Sequence, residues 1–201
     1  IMSSDWSSDV CSSDLSLMIC YLAFSGFDYL RRAKSTSMTV YNVPGHTAIG
    51  LASARRHVVL SDSALKNDKQ AISYNLADPW RKQKLGEPDW IIIPDTCIAE
   101  DELFFVEDNF IGFFDKTIIL IDTNYRFIDT GRKLRTDYLV IRGNPYLSIP
   151  DLAKNFDFKR LIFDASCKPW YIDRWIEEAE ELGVDYYSVY HDGAFFVRVG
   201  I

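Results

Sequence analysis

Between residues 38 and 121 the apolar positions recur with the short period of strands, interrupted by one stretch with helical spacing. Met38–Val43, Thr47–Ala52 and His57–Ser61 are β-rich runs separated by Pro44-Gly45 and by Ser53-Ala54-Arg55-Arg56, which predicts an antiparallel meander. Asp62 or Ser63 then caps a helix running to about Lys84, with Leu65, Ile72, Leu76 and Trp80 near helical spacing and a stop at Gly86 and Pro88. Further strands are predicted at Trp90–Ile93, Leu103–Val106, Phe110–Phe114 and Thr117–Ile121. From residue 138 onward strand and helix alternate: strand Tyr138–Ile141, a helix from Ser148 to about Asn155, the apolar strand Leu161–Phe163, and a helix opened by Pro169 and closed by Gly183. In that last helix Ile172, Trp175, Ala179 and Leu182 share one face. Tyr186–Tyr190 and Ala194–Val199 are predicted to close as a hairpin about Asp192-Gly193. Two strand-rich halves, each followed by a helix that covers one sheet face, predict a mixed α/β (α+β) sandwich layered helix, sheet, sheet, helix.

Ahead of this region the pattern changes twice. Residues 15–30 read LSLMICYLAFSGFDYL, apolar all round and followed at once by Arg31, Arg32 and Lys34. A spanning helix takes about 20 apolar residues, so residues 16–34 are expected to be a truncated transmembrane helix. Before it the triplet Ser-Ser-Asp occurs three times, at Ser3-Ser4-Asp5, Ser7-Ser8-Asp9 and Ser12-Ser13-Asp14. No fold repeat is so short and polar, and the run looks like translated sequencing-adapter sequence. Residues 1–15 are therefore set aside as an artefact, and the rest is expected to be a C-terminal fragment, with one soluble domain over 38–201.

Composition narrows the function. The 201 residues are 48% hydrophobic and 25% charged, enough for a core that needs neither disulfides nor metal. The formal charge of −7 falls to −4 once Asp5, Asp9 and Asp14 are set aside, which disfavours a surface built wholly for nucleic acid. Cys11, Cys20, Cys97 and Cys167 form no Cys-x-x-Cys pair, so neither a zinc ribbon nor a disulfide framework is indicated. Two basic runs could meet phosphates: Arg81, Lys82 and Lys84, and Arg132, Lys133 and Arg135, with Trp80 or Tyr125 as a stacking surface.

The apolar lead-in, the element order and several strings resemble the C-terminal region of the ComEC family of bacterial competence proteins, over about residues 17–199. In that family a last membrane helix precedes a metallo-β-lactamase-like domain opening with Asp-Val-Gly-Gln-Gly-Asp-Ala. Here Asn42-Val43-Pro44-Gly45-His46-Thr47-Ala48 stands in that place, keeping the glycine and alanine and losing the acids. Asp192-Gly193-Ala194 matches the family's Asp-Gly-Ala, and residues 161–175, LIFDASCKPWYIDRW, are similar to a divergent branch. The resemblance implies a partial, degenerate metallo-β-lactamase-like αββα sandwich, in a protein of the bacterial inner membrane that takes up DNA.

The expected chemistry departs from the family. Hydrolases of this fold hold two divalent ions on a His-x-His-x-Asp-His cluster, and residues 60–80 contain no histidine. The family's Pro-His-His-Gly-Ser corresponds to Gly143-Asn144-Pro145-Tyr146, and its Gly-His-Pro to Cys167-Lys168-Pro169. No Gly-x-Ser-x-Gly elbow and no phosphate-binding glycine loop stands in for them. The expectation is accordingly a non-enzyme with no catalytic residue and no cofactor, a scaffold or DNA-guiding domain. Its expected partners are the transmembrane part of the same protein, the membrane and single-stranded DNA. One alternative is a divalent-metal nuclease degrading the non-imported strand on Asp62, Asp122, Asp164 and His191. Another is a free-standing soluble α/β ligand-binding domain.

Overall fold

The computed structural model describes residues 17–23, 36–53, 56–93, 99–100, 104–126 and 131–199. The chain divides into two units, 1–35 and 36–201. In the first, residues 17–23 are helical and Leu17, Met18, Ile19, Tyr21 and Leu22 are each more than half exposed. Among the described residues no helix is long and apolar enough to cross a membrane. The rest of the expected span and all of residues 1–15 lie outside the described residues.

In the second unit the predicted meander forms as β1 (Thr36–Val40), β2 (Ala48–Ala52) and β3 (His57–Ser61), each antiparallel to the next. Three helices follow, α1 (Ser63–Asn67), α2 (Lys69–Asn75) and α3 (Ala77–Gln83), and return the chain to β4 (Asp89–Ile92), parallel to β3. The single helix expected from 62 to 84 is thus divided. Asp68 makes the first of the two breaks, because its carboxylate accepts from the amides of Gln70 and Ala71 and so caps a new helix.

The second sheet holds β5 (Ala99–Glu100), β6 (Phe104–Glu107), β7 (Phe110–Phe113), β8 (Lys116–Ile121), β9 (Leu134–Ile141), β10 (Phe156–Phe163) and β11 (Tyr186–Ser188), adjacent in that order. β5 to β8 are antiparallel neighbours, whereas β8 to β11 run parallel. Parallel neighbours need crossovers: α4 (Ile149–Asn155) joins β9 to β10, and α5 (Pro169–Leu182) joins β10 to β11. Gly183 ends α5 at φ 64°, as its sequence position predicts.

The expected terminal hairpin does not form. A helical turn, α6 (Val189–Asp192), follows β11, and β12 (Phe195–Val199) then pairs antiparallel with β1 at the edge of the first sheet. The two apolar runs flanking Asp192-Gly193 belong to different sheets, and the turn carries the chain from one to the other.

Alternation along the strands sorts the core into layers. Met38, Val40, Ile49, Leu51, Val58 and Leu60 of the first sheet meet Ile118, Leu120, Val140 and Ile162 of the second in one cluster. Ile119, Ile121, Leu139, Ile141, Leu161 and Phe163 face the other way, onto Leu152 of α4 and Ile172, Trp175 and Ala179 of α5. The apolar runs of β8 to β10 are therefore strands buried on both faces. A third cluster, Tyr41, Val43, Ala48, Leu65 and Leu76, lies between the first sheet and α1–α3. The order helix, sheet, sheet, helix follows from these contacts. Gly50 is fixed by the last cluster, since a Cβ there would stand 2.7 Å from the Tyr41 ring.

Candidate functional site

The register of the parallel strands builds one end of the sandwich. Ile121, Ile141 and Phe163 are aligned across β8, β9 and β10. Asp122, Arg142 and Asp164, each one residue beyond its strand, are consequently neighbours. The ladder continues through them, Arg142 N donating to Ile121 O at 2.9 Å and Asp164 N to Ile141 O at 3.0 Å. The loop between β1 and β2 meets the same end, where Gly45 N donates to Ala165 O at 3.0 Å. Asp62, just past β3, joins through that loop. Crevices outside the carboxyl ends of parallel strands are where α/β sheets usually place their sites.

Asp62 ties three groups together. Its oxygens accept from Leu65 N at 2.8 Å, Thr47 N at 2.9 Å and His46 Nδ1 at 3.1 Å. Burial pushes this carboxyl up, but those donors outweigh it and leave the pKa below the ordinary value. Asp164 is more enclosed, with no exposed surface. Its Oδ2 accepts from Thr47 Oγ1 at 2.6 Å and from Ser166 Oγ at 2.7 Å, while its Oδ1 is buried without a partner among the described residues. Burial dominates, and pushes this carboxyl up to about 6 despite the two hydroxyls. Ser166 Oγ also accepts from Gly143 N at 3.0 Å, so one serine joins the loops after β9 and β10.

Asp122 is 5% exposed and faces Arg142, Oδ2 to Nη2, at 3.8 Å, while its Oδ1 accepts from Asn124 N at 2.8 Å. The same Nη2 donates to Ile93 O at 3.5 Å, which brings in the segment after β4. Cys167 lies alongside, its thiol donating to Ile141 O at 3.4 Å and pushed up to about 12 by burial, hence unreactive. Beyond them a cleft of about 690 Å³ is lined by Thr123, Tyr125, Arg126, Tyr146 and Arg174 among others.

His191 belongs to a different local arrangement. Its Nδ1 is 2.9 Å from Ser188 Oγ and its Nε2 3.5 Å from Asp173 Oδ1. Ser188, 1% exposed, accepts from His191 N and caps α6, so this Ser-His-Asp alignment is a helix cap rather than a nucleophile and its base. Of the four residues expected for a metal, Asp62, Asp122 and Asp164 are tied into one set of loops at this end of the sandwich, whereas His191, past the end of the parallel neighbour β11, bonds within its own turn and pairs with Asp173. Among the described residues no group of three or more His, Cys, Asp or Glu could hold a metal ion.

The basic runs lie at the opposite strand ends. Arg81, Lys82 and Lys84 are exposed at the end of α3, level with the start of β3, and Arg81 pairs with Asp78 at 2.8 Å. Arg132, Lys133 and Arg135 are exposed around the start of β9. The Trp80 indole N–H donates to Tyr41 Oη at 3.2 Å, and its half-buried ring meets His57 and Trp90 edge to face. Tyr125 lines the cleft. The residues that knit the site, Thr47, Ser166 and Arg142, are not candidate site residues by sequence pattern, although Thr47 and Ser166 lie within strings that resemble the family. The only local hint was Asp164-Ala165-Ser166, a spacing at which a hydroxyl folds back on a carboxylate.

A model of the ComEC C-terminal domain matches residues 38–199. No curated protein and no solved structure matches the chain. With that domain covering most of its length, the chain belongs to the ComEC family, whose role is in competence DNA uptake.

Proposed function

We propose that residues 38–201 form a non-catalytic, metal-free derivative of the metallo-β-lactamase fold within a bacterial membrane DNA-uptake protein. In this reading residues 16–34 are the remnant of its last membrane helix. The domain is a scaffold that packs against the transmembrane part and guides single-stranded DNA along Arg81, Lys82, Lys84, Arg132, Lys133 and Arg135. The supporting observation is how the strand-end aspartates are used. Asp62, Asp122 and Asp164 accept from backbone amides, hydroxyls or His46, and Asp122 also pairs with Arg142; in this way they close loops, the work of structural carboxylates. Elemental analysis of the purified chain is expected to find zinc and manganese well below one ion per chain; stoichiometric metal overturns the reading.

One observation favours the nuclease alternative: Asp122 and Asp164 flank Arg142 at the carboxyl ends of parallel strands, where a hard cation and a phosphate could meet. Magnesium- or manganese-dependent cleavage of single-stranded DNA, abolished by Asp122→Ala or Asp164→Ala, is the result that establishes it.

A further inference from the structure

The outer face of the first sheet carries a buried histidine that the site above does not use. His57, the first residue of β3, is 6% exposed. Its Nδ1 lies 3.0 Å from Gly86 O, and because a carbonyl only accepts, Nδ1 carries the hydrogen. The opposite nitrogen, Nε2, is buried and has no hydrogen-bond partner among the described residues. The ring stands edge-on to Trp80 of α3, centroids 5.3 Å apart. Trp80 in turn meets Trp90 of β4 and donates to Tyr41. A helix of seven residues such as α3 does not persist alone in water. Its place depends on this contact set, and the turn after it is held by Leu85 N to Trp80 O at 2.9 Å and by Gly86 O to His57.

A second proton on His57 would set a charged N–H at Nε2 with neither water nor acceptor, one of the more costly ways to bury a polar group. Among the described residues, the charged groups near the ring are few. Asp89 of β4 favours the proton but is itself paired with Arg56 at 2.9 Å. Glu87, next to Gly86, is exposed, and the Tyr41 phenol, pushed up to about 12 by burial, stays neutral. Burial dominates and holds the imidazole below its ordinary value, against the pull of Gly86 O and Asp89.

We propose that His57 is a proton-operated latch: neutral, it holds α3 and the turn at 84–88 against the first sheet, and it accepts a second proton only when α3 lifts and Nε2 reaches water. Docking of α3 is then complete above the ordinary histidine range and weakens as pH falls through it, because only the open form takes up the proton. If the DNA-guiding reading holds, the latch regulates it, since Arg81 and Lys82 are on α3 and Lys84 follows it.

The test is backbone hydrogen exchange of residues 77–85 in the full chain, from about pH 7.5 to about pH 5, corrected for intrinsic rates. Protection of α3 is expected to fall by up to about tenfold per pH unit below about 6.5, while that of β9 and β10 holds. In His57→Gln, whose side-chain amide can still donate to Gly86 O but takes no proton, protection of α3 stays level. The same pH dependence in both proteins overturns the latch. If the variant does not fold, NMR titration of the wild-type ring decides: an imidazole that stays neutral below about 6.5 until α3 opens supports the latch, and one that titrates near 6.5 with α3 still protected overturns it. No nucleic acid enters the measurement, so its outcome is separate from that of the DNA-guiding reading.

Discussion

A carboxylate with no exposed surface, such as Asp164, costs stability in its charged form that a neutral amide would not. Its folded pKa, about 6, stands above the unfolded value of 3.8, so its contribution is fully present below that value and is lost as pH rises through about 6. Two units correspond to about 3 kcal/mol. Urea unfolding of the wild type against Asp164→Asn is expected to show that difference appearing between about pH 4 and pH 7, with the variant relatively favoured at the upper end. Parallel profiles would mean that Asp164 ionises as readily in the folded protein as in the unfolded chain, which overturns the expectation. Asp62, Asp122 and Asp164 could be picked out in the sequence because each follows an apolar run, at the place where a strand must end. Their partners could not. Thr47 reaches Asp164 across 117 positions, and no local pattern carries that pairing. Gly50 is of the same kind: only the fold brings the Tyr41 ring over it, and Gly50→Ala should cost about 1–3 kcal/mol by crowding, read as a lower midpoint in thermal unfolding.

At the scale of elements, most strands and the long α5 could be read from period and punctuation. Two expectations fail, for different reasons. The stretch from 62 to 84 has helical spacing throughout, yet a side chain that competes for backbone amides redirects it at Asp68. Asp68→Ala is expected to destabilise the unit by about 1 kcal/mol, with the loss of hydrogen-exchange protection concentrated in α2. A substitution with no effect there would mean that the cap does not cause this break; the second break, at Leu76, has no side-chain cap. The false hairpin at 186–199 has good turn chemistry and two suitable apolar runs. Adjacency in sequence, however, says nothing about which free edge a strand will choose. β10 offers β11 a parallel partner and β1 offers β12 an antiparallel one, and both bury more apolar surface than an isolated ribbon could.

Taken whole, the unit has an acid-lined end where the parallel strands finish and basic runs where β3 and β9 begin. A net negative chain can still engage a polyanion through such a local surface. If α3 contributes phosphate contacts, replacing Arg81, Lys82 and Lys84 with alanine should reduce the slope of log affinity against log salt for oligothymidine by about 2, whereas an unchanged slope removes that run from the interface. The overall layering followed from the sequence because two-faced burial of β8 to β10 leaves few alternatives; the charge polarity did not, because it depends on strand direction. The pairing of β12 with β1 has a consequence for synthesis. Some 150 residues separate the two strands, and at about 5–20 residues per second a ribosome needs roughly 8–30 s to deliver the second after the first. Throughout that interval the outer edge of β1 is an open template for a foreign strand. The nascent chain must be shielded until residue 199 is free, and crowded translation is the condition under which this protein should misassemble most readily.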